Sequence, residues 1–133
     1  MKPVPQKHPM GCGVACVAYA LKISYDEAIQ NFAQPQNAWS DGYSCKAIVA
    51  ALKKGGLHYK FKKAFLPKDK ELLEREQTIV FTNYEGQYPY GHYLVRGKKG
   101  WMNPWVNCPI MIPVKAKIVK DLPAKPLWIF YQI

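Results

Sequence analysis

No stretch of this chain approaches the roughly 20 consecutive apolar residues of a membrane-spanning helix. Its opening, Met1-Lys2-Pro3-Val4-Pro5, lacks an apolar run of signal-peptide length. There is no internal repeat, no low-complexity tract and no linker, so the 133 residues read as one domain, 1–133. Acidic residues are scarce, nine against nineteen basic ones, which leaves a net charge of +10. Such a balance draws a protein toward anionic partners. The lysines are scattered, however, and no nucleic-acid recognition motif accompanies them, so nucleic acid is not the expected partner. The four cysteines and three histidines form no pair of metal-ligand spacings, and zinc is not expected. Cys12 and Cys16 stand a helical turn apart, poorly set for a disulfide. Free thiols in a reducing cytoplasm fit better, with delivery as a toxin the alternative.

The chain does have an apolar content of 49% and an aromatic content of 14%, enough for a packed core. Val14, Val17, Ala18 and Leu21 repeat at helical spacing and predict a first helix starting at Cys12. Ser24-Tyr-Asp-Glu27 reads as a capping box opening a second helix, stopped by Gln34-Pro35. Ser44 opens a third helix, ended by Gly55-Gly56 as a left-handed cap. The period then changes. Segments 58–62, 78–82, 92–95, 100–102, 109–114 and 127–131 read as strands, with a short helix allowed over 68–75. Helices followed by an antiparallel sheet predict an α+β domain.

One cysteine stands apart. Cys12 lies between Gly11 and Gly13 at the predicted start of a buried helix. The positive helix end and its unpaired N–H groups favour thiolate over thiol there. Gln6 precedes it and can supply a side-chain N–H to an oxyanion. His92, in Gly91-His92-Tyr93-Leu94-Val95, is the candidate base. The turn Lys98-Lys99-Gly100 folds the chain back so that Asn103 can reach its ring. His8, among prolines, and His58, on a lysine-rich strand, are weaker rivals. Cys16 reads as packing beneath Cys12, and Cys45 and Cys108 read as structural. Trp101 and Trp105 flank Asn103-Pro104, either shielding a His–Asn pair from water or simply filling core.

The pattern Gln-x5-Cys-Gly-x-Ala-Cys, then Gly-His-Tyr-Leu-Val, then Asn-Pro resembles the C39 and C39-like cysteine peptidases of the papain-like superfamily. The resemblance runs from Gln6 to about Pro104 and the strands that follow. It implies a papain-like fold with N-terminal helices packed on a C-terminal antiparallel β-sheet. It also implies Cys12 as nucleophile, His92 as base, Asn103 as the residue orienting His92, and Gln6 as oxyanion donor. The family usually carries Asp-Pro where this chain has Asn103-Pro104, and Asn is a workable third member of such a triad. No cofactor is implied. The expected partner is a peptide or protein substrate, with a leader or precursor peptide as one option. Two other readings share the motif: an amidase, deamidase or transglutaminase-type antibacterial toxin, and a catalytically idle peptide-binding module.

Overall fold

The computed structural model describes residues 1–133. Helix α1 (Cys12–Leu21) is buried along nearly its whole length, as a helix apolar on most sides must be. Helix α2 (Tyr25–Ile29) opens on the full capping box, with Ser24 and Glu27 exchanging side-chain and backbone bonds. It ends at Ile29, before the expected stop, and Pro35 begins a separate 3-10 turn (Pro35–Ala38). Helix α3 (Cys45–Lys54) is capped by Ser44. At its far end only Gly56 is left-handed, at φ 95°, while Gly55 stays at φ −85°.

Strand β1 (Tyr59–Lys63) and helix α4 (Lys70–Glu74) precede strands β2 (Ile79–Thr82), β3 (Tyr93–Arg96), β4 (Trp101–Asn103), β5 (Lys117–Val119) and β6 (Pro126–Gln132). They form one antiparallel sheet in the order β1-β6-β2-β3-β4-β5. Side chains alternate across it with the period of two that strands impose. Ile79, Val95, Met102 and Phe130 face the helices and join one core with Val14, Val17 and Ile48. Their neighbours Val80, Leu94, Trp101 and Ile129 face the other way, under Leu72, Leu73 and Leu122. The expected α+β arrangement is the one observed.

The segment 109–114 is not a strand, contrary to its apolar pattern. Pro109 and Pro113 have no N–H to offer a ladder. Ile110 and Ile112 are exposed at 57% and 93%. The loop is held instead by Asn107, whose side chain donates to the Pro113 carbonyl and accepts from Lys115 N–H. The strand that pairs with β4 comes later, as β5.

Two features bring the helices and sheet together at one point. Gly13 lies against Ile48 and the Tyr93 ring, where an added Cβ would meet the Ile48 side chain at 2.7 Å. That close approach seats the start of α1 beside the start of β3. The Gln6 backbone N–H donates to the Pro104 carbonyl, pinning the N-terminal segment to the end of β4.

Candidate active site

Cys12 is the first residue of α1 and lies half-buried in a cleft of about 790 Å³. Met10, Trp39, Asp41, Tyr84 and Tyr90 are among the residues lining it. The backbone N–H groups of Tyr93, Gly13 and Cys12 lie near enough to favour the thiolate and pull its pKa down. Burial outweighs them and pushes the Cys12 thiol up to about 11. The helix start therefore does not produce a resting thiolate, as its position alone predicts; desolvation of the charged form is the larger effect. Tyr93 follows His92 in the chain, so the same contact places the sulfur next to the histidine's own peptide.

His92 is 2% exposed. Burial lowers its pKa to about 4, and the bond to Asn103 opposes that only in part. Its Nε2 lies 2.8 Å from Asn103 Oδ1. That oxygen also accepts the Trp105 backbone N–H at 3.0 Å, so it is an acceptor and Nε2 must carry the proton. Nδ1 is then the unprotonated, basic nitrogen. The site at rest holds two neutral partners, a thiol and an imidazole.

Asn103 is 4% exposed and ends β4, returned beside His92 by the hairpin in which Val95 pairs with Met102 and Arg96 with Trp101. The two tryptophans around it part ways. Trp105 is buried next to the His92–Asn103 pair and donates its ring N–H to Ile110. Trp101 points to the opposite sheet face and belongs to the core there.

Gln6 is 1% exposed. Its Nε2 donates to the carbonyls of His8 at 2.9 Å and Pro9 at 3.2 Å, while its Oε1 has no partner. The amide that the spacing marks as an oxyanion donor thus secures, at rest, the loop leading into Cys12. Among the other candidates, His8 Nδ1 contacts the Tyr25 hydroxyl at 2.9 Å and its ring packs at a tilt against Trp39. Neither His8 nor His58 has an orienting amide. Cys16 is fully buried beneath Cys12 in the core, and all four cysteines are free.

Sequence reasoning missed Tyr88. Its ring lies flat on the His92 imidazole, 3.8 Å between centroids and 5° from parallel. Its hydroxyl accepts from Asn103 Nδ2 at 3.1 Å and donates to the Trp105 carbonyl at 2.7 Å. A tyrosine in a loop of mixed polar residues carries no periodic signal that would have marked it.

No family model matches the sequence, and no curated protein matches it. Among solved structures, the chain is similar to the peptidase domain of Streptococcus ComA, a bi-functional ABC transporter involved in a quorum sensing pathway. The TM-score is 0.64 at 20% identity, over 98% of this chain and 96% of that one. The likeness is one of fold: helices and antiparallel sheet are arranged as in a C39 peptidase domain.

Proposed function

We propose that this chain, folded as a C39-type peptidase domain, is a cysteine peptidase acting through Cys12, His92 and Asn103. The observation that carries the reading is the His92–Asn103 bond. It commits Nε2 to the amide and leaves Nδ1 as the basic nitrogen, while Gly91 and Tyr93, the chain neighbours of His92, line the same cleft as Cys12. As Cys12 Sγ attacks a peptide carbonyl, Nδ1 takes the thiol proton. The developing oxyanion is met by the Cys12 backbone N–H, unpaired at the helix start. Gln6 Nε2 joins it by exchanging its longer bond, to Pro9, for the oxyanion. The imidazolium then protonates the leaving amine, producing a thioester on Cys12. His92 next removes a proton from water, which hydrolyses the thioester and restores the free thiol. The substrate we propose is a peptide or protein, a leader or precursor peptide among the options. In the neighbour of like fold the peptidase is part of a transporter.

The test is a mixed peptide library in H₂¹⁸O, read by mass spectrometry, with the wild type beside Cys12→Ala. Cleavage that needs Cys12 and places ¹⁸O in the new carboxyl group is the expected result. Release of ammonia or transfer of the acyl group to an amine, without backbone cleavage, would instead favour the amidase or transglutaminase reading. No turnover, with peptide retained by both proteins, would point to a binding module.

A further inference from the structure

We propose that Tyr88 is a positioning residue that selects the tautomer of His92 through the Asn103 amide and holds the plane of its ring. This rests on the reading of His92 as the base and adds a residue to that site.

Two side chains and the backbone of Trp105 form a closed circuit. Tyr88 O–H donates to the Trp105 carbonyl, Trp105 N–H donates to Asn103 Oδ1, and Asn103 Nδ2 donates back to the Tyr88 oxygen. An asparagine amide can in principle be turned end for end. Here a turned amide would set Oδ1 against the Tyr88 oxygen, whose single proton is already given to Trp105. It would also set Nδ2 against the Trp105 N–H. Tyr88, Asn103 and His92 are all at most 4% exposed, so water cannot repair such mismatches. The amide orientation is therefore fixed, with Oδ1 toward His92. An oxygen there requires the proton on Nε2 and leaves Nδ1 bare, the tautomer a base facing a thiol must have. The hydroxyl of Tyr88 thus acts on His92 at one remove.

The ring acts directly. Stacked at 3.8 Å and 5°, it bars the imidazole from swinging out of the plane in which Nε2 meets Asn103. The loop carrying Tyr88 is itself tied down. Gln87 Nε2 donates to the carbonyls of Val106 and Cys108, binding this loop to the one that contains Trp105.

The test reads the proton and not turnover. In ¹⁵N-labelled wild-type protein at pH 7, the His92 ring nitrogens should show the shifts of an Nε2–H tautomer. In Tyr88→Phe, which keeps the stacked ring but loses the hydroxyl, a measurable Nδ1–H population should appear beside the Nε2–H form, which the Trp105 N–H still favours. In Tyr88→Leu the ring signals should also broaden as the imidazole gains motion. An unmixed Nε2–H tautomer in folded Tyr88→Phe would overturn the proposal. Were that variant not to fold, an Nδ1–H tautomer in the wild type would overturn it equally. These spectra need no substrate, so a failure of the peptidase reading is distinguished from a failure of this one.

Discussion

The two halves of the candidate site are built on opposite plans. On the Cys12 side the sulfur is positioned by backbone: a helix start, a glycine that allows close packing, and nearby backbone N–H groups. On the His92 side the ring is positioned by side chains, with Tyr88 stacked on it and Asn103 bonded to it. Backbone placement depends on few residues and is hard to disturb by side-chain substitution. A side-chain circuit depends on every member. Burial dominates the titration on both sides, in opposite directions. It favours the protonated thiol at Cys12 and the neutral imidazole at His92.

The largest expected effects lie with the proposed nucleophile and base. Cys12→Ala and His92→Ala should each bring peptide cleavage to background while leaving the circular dichroism spectrum unchanged. Residual Cys12-dependent cleavage in His92→Ala would mean that another group serves as base. On the backbone side, Gln6→Ala should lower kcat by roughly 10²–10³-fold, the usual cost of an oxyanion donor. A kcat within twofold of wild type would assign Gln6 to the His8–Pro9 loop alone.

On the side-chain side, Asn103→Ala should cost about 10²-fold in kcat, because a misoriented base loses its alignment with the thiol. Asn103→Asp should remain active. Its negative charge stabilises the imidazolium, so the acid limb of the pH–rate profile should move up from about 4. An unmoved acid limb would show that position 103 does not face the ring in solution.

The smallest effects concern pH. His92 is held neutral in the fold, with its pKa lowered from 6.5 to about 4, so the unfolded chain binds its proton first as pH falls. Stability from this residue should be intact above pH 6.5 and decline by about 3 kcal/mol as pH falls to 4. Urea unfolding of wild type and His92→Gln across that range would isolate the contribution. At Cys12, alkylation by iodoacetamide, followed by peptide mass mapping, should accelerate toward pH 11. A midpoint below pH 8 would mean that the helix start prevails over burial after all.

The parts of this molecule that could be read in its sequence are those decided by near neighbours. A serine three residues before a glutamate caps a helix wherever it occurs, and α2 begins at that box. Alternating apolar residues make a two-faced strand, and β2 and β6 follow that rule. A cysteine between glycines at a helix start, and a histidine and an asparagine joined by a hairpin, could be singled out as a candidate site for the same reason. The tertiary structure decided what depends on segments distant in the chain. Burial by β3 and the loops overrode the helix end at Cys12, because desolvation is set by everything packed around the sulfur. Prolines and solvent exposure left 109–114 out of the sheet despite its apolar residues. Gln6 found its partners in His8 and Pro9, and Tyr88 met Asn103 and Trp105 across two loops. Periodicity and caps act within a few residues, whereas hydrogen-bond circuits and dielectric surroundings exist only once the chain has closed on itself.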